Sequence, residues 1–307
     1  MAVIRKAILI CFHSLLNNTR SLASISASQN HSPFIYMFQE KIKSFLEMRD
    51  RGELLVQKAR KLFCNLLKEV ALAVPSEYVK FGDVVQLVAP DMPRKCRGTE
   101  GELGVALSGL VGEKEVDSIQ HYVEGSVMSG SSHLTPCVRN SFVIRSGDCL
   151  KRDGEPLKFG QDFNLCPVVN LSGHELYVQS EVRRLDSQVG PSGYPELSLT
   201  SHRNTYCRWR ALCWDPLQRP ETEGSPVPVS VKHLANPFCP NCRLVINHAP
   251  SNRNMAVEHQ HWFQTYFGME CQVAVHTYKD VHRRETSENV WMLVTQKPKD
   301  LNATVQA

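Results

Sequence analysis

Two stretches of the chain, 78 residues apart, follow one plan, and this echo limits the folds open to it. Tyr78-Val-Lys-Phe-Gly-Asp-Val-Val-Gln-Leu87 returns as Pro156-Leu-Lys-Phe-Gly-Gln-Asp-Phe-Asn-Leu165. Each copy reads Lys-Phe-Gly, then a polar residue, then an alternation that ends in Leu. The glycine permits a tight turn, and the alternation sends every second side chain to one face of a strand. Glu223-Gly-Ser-Pro-Val-Pro-Val229 is a weaker third copy. Three such units, each unable to bury its own face, suit a β-trefoil. The predicted fold is therefore mainly β: a trefoil-like body with an N-terminal helical segment and long loops.

The rest of the chain from residue 78 has a matching texture, with short alternating runs between Gly, Pro, Asn and Asp. Predicted strands are Val84–Val88, Ser141–Arg145, Asp162–Leu165, Glu175–Val178, Tyr206–Cys213, Leu244–Asn247, Cys271–Tyr278 and Asn289–Thr295. Residues 97–134 hold seven of the seventeen glycines and read as a long loop, with one turn of helix near Glu113–Tyr122. A second loop is expected over Asp186–Asn204.

Ahead of this body the period changes. In residues 39–71, Ile42, Phe45 and Leu46 share one helical face, and Leu55, Ala59, Leu62, Phe63, Leu66, Leu67 and Val70 share another. The polar stretch Glu47–Glu53, with Gly52, predicts a kink or short turn between them, and Pro75 ends the element. The expected organisation is a disordered, atypical N-terminus at 1–38, a helical segment at 39–72, the β body at 77–296 and a disordered tail at 297–307.

Charge follows these divisions. The whole chain is only +4, but residues 1–37 carry Arg5, Lys6 and Arg20 without an acid, and residues 38–72 carry eight Lys/Arg against five Asp/Glu. The remainder is about neutral, so the basic character lies outside the body. Within the helical segment, Arg49, Arg51, Lys58, Arg60 and Lys61 lie off the apolar face. They are the candidate contacts for an acidic partner, with a solvated helix surface as the plainer reading. The sequence predicts that this helix docks one face on a body able to fold without it.

Eleven cysteines without a repeating spacing argue for reduced thiols rather than a secreted disulfide framework. The start of the chain fits two addresses at once. Arg5-Lys6 followed by Ala7–Phe12 resembles a secretory signal, while a Ser-rich, acid-free stretch resembles a transit peptide. No run of apolar residues reaches the ~18 that a membrane span needs.

Chemistry is sparse. The nucleophile elbow, the P-loop, the His-Glu-x-x-His helix and the EF-hand loop are absent from the sequence, and a non-enzymatic protein without a cofactor is expected. Cys239-Pro-Asn-Cys242 has the spacing of half a tetrahedral zinc site, with His233 or His248 able to add a third ligand, but a second pair is missing. Arg203-Asn-Thr-Tyr-Cys-Arg-Trp-Arg210 hints at nucleic acid. Its alternation, however, puts Cys207 and Trp209 on one side of a strand and Tyr206 and Arg208 on the other. No nucleic-acid partner is expected.

Over about residues 41–300 the chain resembles the cilia- and flagella-associated protein 161 family. The resemblance runs through Phe45-Leu-Glu-Met-Arg-Asp-Arg-Gly52, Phe81-Gly-Asp83, Leu87-Val-Ala-Pro-Asp91, Arg139-Asn-Ser-Phe142 and Phe159-Gly-Gln-Asp-Phe163. It is densest at Glu223-Gly-Ser-Pro-Val-Pro228, Ile246-Asn-His248, Thr265-Tyr-Phe-Gly268, His276-Thr-Tyr-Lys-Asp-Val-His-Arg283 and Trp291-Met-Leu-Val-Thr295. The resemblance implies a MIR-type trefoil body. It also implies a microtubule inner protein without a catalytic site, bound in the cytoskeleton of the ciliary or flagellar axoneme beside tubulin and other inner proteins. Residues 1–37 and His233–Arg243 depart from the family's pattern, and the signal-peptide and zinc readings rest on those two segments. The alternative is a secreted or ER-luminal trefoil that binds sugar, with Asn-x-Ser/Thr sites at Asn170 and Asn302.

Overall fold

The structure is a computed structural model that describes residues 33–74, 76–95, 101–112, 122–148, 150, 152–168, 175–181, 190–231 and 242–295. The expectations for residues 1–32, for a helical turn at 113–121, for Asn170 and Asn302, for Cys239 and for the tail at 297–307 lie outside the described residues. The chain divides into two compact units, Met1–Leu54 and Leu55–Ala307, so the division falls inside the predicted helical segment.

The first unit contains helix α1 (Pro33–Asp50). Gly52, with a φ of +73°, ends it. The Gly52 amide donates to the Arg49 carbonyl at 3.1 Å and the Glu53 amide reaches back to the Met48 carbonyl at 2.8 Å, a Schellman closure that needs a left-handed residue. The turn predicted at Glu47–Glu53 is thus present, and its cause is Gly52.

In the second unit, helix α2 (Leu55–Leu66) leads into the strands β1 (Val84–Pro93), β2 (Leu103–Gly109), β3 (Met128–Ser131), β4 (Phe142–Ser146), β5 (Asp162–Pro167), β6 (Tyr177–Gln179), β7 (Ser198–Thr200), β8 (Trp209–Cys213), β9 (Ser230–Val231), β10 (Leu244–His248), β11 (Arg253–Thr265), β12 (Gly268–Val275) and β13 (Val290–Thr295). A short helix, α3 (Arg219–Thr222), follows β8. The mainly β expectation holds.

Six of the strands close on themselves. β1 pairs with β4, β4 with β5, β5 with β8, β8 with β10, β10 with β13 and β13 with β1, all antiparallel. The inside of this barrel is written in the two-residue period: Val85 and Leu87, Phe142 and Ile144, Phe163 and Leu165, Trp209 and Ala211, Leu244 and Ile246, Trp291 and Leu293 all belong to the main core. Two indoles are buried with their N–H groups satisfied: Trp209 donates to the Val178 carbonyl at 2.9 Å and Trp291 to that of Met255 at 3.0 Å. The outer half of β1 continues into a layer that runs through β2, β3, β12 and β11. β6 and β7 form a separate pair.

The sequence echoes meet at one end of the barrel. The Val79 amide donates to Val227 (3.0 Å), the Val227 amide to Leu157 (2.8 Å) and the Leu157 amide to Val79 (2.8 Å), a closed three-membered ring of backbone bonds. The polar residue after each Lys-Phe-Gly now has a reason. Asp83 Oδ2 accepts from the Lys80 amide at 2.8 Å and Gln161 Oε1 from the Lys158 amide at 3.1 Å, each holding the turn whose glycine sits at positive φ.

Several elements differ from expectation. The glycine-rich stretch 97–134 is not all loop, since β2 and β3 lie in it, and β7 lies in the predicted loop Asp186–Asn204. Strand β11, thirteen residues long, was not predicted, because the polar run Glu258–His261 breaks its alternation where the register shifts between Glu258 and Trp262. Predicted strand Tyr206–Cys213 begins instead as a 3₁₀ turn at Thr205–Cys207, capped by Asn204, whose side chain accepts from the Tyr206 amide. The predicted sidedness survives, with Cys207 and Trp209 buried and Arg208 exposed.

Candidate partner-contact surface

The five basic candidates are shared between the two units. Arg49 and Arg51 belong to the first. Arg49 pairs with neighbouring Asp50 at 2.8 Å, Arg51 approaches Glu47 at 4.0 Å, and all four side chains are at least half exposed. Lys58, Arg60 and Lys61 belong to the second and lie on α2; Lys58 is half-buried, while Arg60 and Lys61 are exposed. The opposite side of α2 is fixed: Leu62 and Leu66 are buried in the main core, with Ala59 packed against it. The expected body that folds without this helix is therefore not what the packing supports, because α2 supplies core side chains.

A strut under α2 was invisible to sequence reasoning. Phe63 of α2 meets Phe267 edge to face at 5.3 Å, and Phe267 lies under the Arg139 guanidinium at 3.8 Å. Arg139 donates to Glu270 Oε1 at 2.5 Å and to the Gly109 carbonyl at 3.3 Å, while Glu270 Oε2 accepts from Ser129 at 2.9 Å. Both charged side chains are buried. Tyr122 donates to the Arg139 carbonyl at 3.3 Å, and burial pushes its phenol well above the usual range. Every charged oxygen and several donors have partners, the condition under which a buried pair is tolerated. The two residues are 131 positions apart, so no local pattern announces them.

The metal candidates part company. Cys242 is buried, and its thiol donates to the Val229 carbonyl at 3.3 Å. Cys239 and His233 lie outside the described residues. His248 is buried with both ring nitrogens engaged, Nε2 with the Tyr206 carbonyl at 2.9 Å and Nδ1 with the Ser251 hydroxyl at 2.8 Å. Because a carbonyl only accepts, Nε2 carries the proton and Nδ1 accepts from the hydroxyl. Burial pushes this histidine below its ordinary value, partly countered by the Tyr206 carbonyl. A metal at His248 would displace one of these bonds. Among the described residues, no group of three or more His, Cys, Asp or Glu is placed to hold a metal ion, and no helix is long and apolar enough to cross a membrane.

Fold and surface together define a barrel-based, mainly β protein whose candidate contact groups lie on its outside. The model of the cilia- and flagella-associated protein 161-like domain matches residues 58–296. The chain is 36% identical to cilia- and flagella-associated protein 161 of Bos taurus over 288 residues, covering 89% of this chain and 82% of that one. It is 32% identical to the Mus musculus protein of the same name over 279 residues, covering 90% and 88%. The chain belongs to this family, and its place is the cilium or flagellum. Among solved structures it is similar to the SDF2-like protein of Arabidopsis thaliana, at 13% identity and a TM-score of 0.44 over 72% of this chain and 99% of that one, a likeness too distant to speak to function.

Proposed function

We propose that the chain is a non-catalytic structural component of axonemal doublet microtubules, a microtubule inner protein that supports the stability and motility of cilia. The observation that carries this reading is the family match across residues 58–296, which spans nearly the whole second unit. The partners in this reading are tubulin, on the luminal face of the doublet, and neighbouring inner proteins. Arg49, Arg51, Lys58, Arg60 and Lys61 are proposed as contacts, of which Arg60 and Lys61 are exposed on α2. The body is read as a β-trefoil, supported by the six-stranded closure and by the ring that joins Val79, Leu157 and Val227. Family membership does not favour the secreted sugar-binding alternative.

The test is to express the tagged full-length chain in ciliated cells. It should line the axoneme, resist detergent extraction and give density on the doublet wall in cryo-electron microscopy of native axonemes. A diffuse, mitochondrial or secreted signal would sink the reading.

A further inference from the structure

Between β12 and β13 the chain projects a short hairpin whose tip, Lys279–Arg284, is exposed at every residue. Its frame is made of backbone. Lys279 and Glu285 face each other in an antiparallel bridge. The Asp280 amide donates to the Arg284 carbonyl at 2.9 Å and the Arg283 amide to the Asp280 carbonyl at 3.0 Å. The Asp280 carboxylate closes the loop from inside, Oδ1 accepting from the His282 amide at 2.8 Å and the Arg284 amide at 2.9 Å. The base is clamped to the body. Glu285 is buried, its carboxylate is held by Arg219 at 3.2 and 2.9 Å, and its carbonyl accepts from the Trp214 indole at 3.2 Å.

The side chains raised on this frame are idle. Among the described residues no carboxylate pairs with Lys279, Arg283 or Arg284, and the one acid of the tip is occupied by the turn. Val281 is 92% exposed, the highest figure for any large apolar side chain among the described residues. Arg283 has a φ of +61°, in the left-handed region that costs a non-glycine residue energy. The Lys-Phe-Gly turns of the same body put glycine at that conformation, at Gly82 and Gly160. Here the turn carries an arginine whose side chain contributes nothing to the turn itself.

We propose that this tip is a preformed docking finger for an acidic protein surface. Lys279, Arg283 and Arg284 answer carboxylates, and Val281 enters a shallow apolar notch between them. The proposal rests on the reading of the chain as an axonemal structural protein and names a face by which it holds its partner. The rigid frame means little conformational freedom is lost on docking. The chemistry favours protein over the other anionic partners. The tip carries no Phe, Tyr or Trp on which bases could stack, its one ring being the small imidazole of His282, and one valine is a poor anchor in a lipid interface.

The experiment uses the full-length chain. Purified protein is titrated with tubulin and with a Glu-rich peptide containing aliphatic residues, and duplex RNA and phosphatidylserine vesicles serve as competing probes. Lys279→Glu, Arg283→Glu and Arg284→Glu together should weaken binding to the acidic probes about ten-fold, the sum expected of three exposed ion pairs, and should flatten its dependence on salt. Arg283→Gly is the folding control. It relieves the turn, so the melting temperature should hold or rise while binding still weakens. Wild-type binding to neither acidic probe, binding by the triple variant within two-fold of wild type, or tighter binding to RNA or vesicles would each overturn the finger. Tagged chains in ciliated cells separate the two readings. Wild type that binds the acidic probes through the tip but stays out of the axoneme refutes the functional reading alone, whereas a triple variant that enters the axoneme as well as wild type refutes the finger alone.

Discussion

Helices α1 and α2 are consecutive in sequence and both amphipathic, yet their apolar faces meet different fates. On α1, Met37, Ile42, Phe45, Leu46 and Met48 are all exposed, Phe45 to 48%. On α2, Leu62 and Leu66 are at 0% and 1%, and Phe63 rests on Phe267. Helical periodicity says only that a face wants cover, not where the cover comes from. For α2 it comes from its own unit, through the main core that Leu62 and Leu66 join and through Phe267 at the β11–β12 turn. The face of α1 remains available to something outside the described residues of its own unit.

This contrast can be broken at several points. The largest effect should come from the strut beneath α2. Glu270→Ala strands the Arg139 guanidinium in the interior and should cost about 3–5 kcal/mol, read by chemical denaturation. A loss below 1 kcal/mol would mean that water reaches the pair. Next, Leu66→Ala should cost about 2–5 kcal/mol through lost burial and the cavity left behind, while Phe45→Ala on α1 should change stability by no more than about 0.5 kcal/mol. Equal losses would erase the distinction between the two helices. Gly52→Ala should destabilise the end of α1 by about 1 kcal/mol, seen as helix fraying by hydrogen exchange at Arg51–Glu53 with the global melting temperature unmoved. The smallest effect on stability should come from reversing Arg49, Arg51, Lys58, Arg60 and Lys61 together, which should leave the melting behaviour of the body nearly unchanged. That variant should still associate less with doublets, and wild-type association should fall as salt screens the charges. Association that is unchanged by the reversal and flat with salt would move the contact away from the helices altogether.

Much of the barrel was legible because its strands obey a two-residue period. Val85/Leu87 and Trp291/Leu293 announce themselves as inward pairs wherever the strand is long enough to show alternation. The Lys-Phe-Gly echo was legible for a similar reason, since each copy solves the same turn with a glycine and a side-chain cap. β3 was not, because Met128-Ser-Gly-Ser131 has the composition of a loop. Gly130 is there for space: a Cβ at that position would come within 2.5 Å of Cys271 Sγ and 2.7 Å of Val105. β11 hid behind its polar bulge. The candidate surface was legible only as a tally of charge. The five helical residues stand out because they cluster in sequence, whereas Lys279 and Arg283 figure only inside a family motif and Arg284 lies just beyond it. Their significance lies in the turn that lifts them, and Arg283's positive φ has no signature in the residue type.

The pairing of β1 with β13 also sets a timetable for biosynthesis. Gln86, Leu87 and Val88 find their partners in Val294, Leu293 and Met292, so the first barrel strand off the ribosome waits for the last. The ring that joins residues 79, 157 and 227 is likewise incomplete until its third member emerges. A nascent chain can pair β4 with β5 early but cannot close the barrel, and closing contacts of this sequence separation make for slow folding. Through most of translation β1 has an unpaired edge, the state in which strands recruit the wrong neighbour. A truncation that removes β13 should therefore fail by aggregating, not by losing one strand from an otherwise folded body, and chaperone demand should peak before β13 is made.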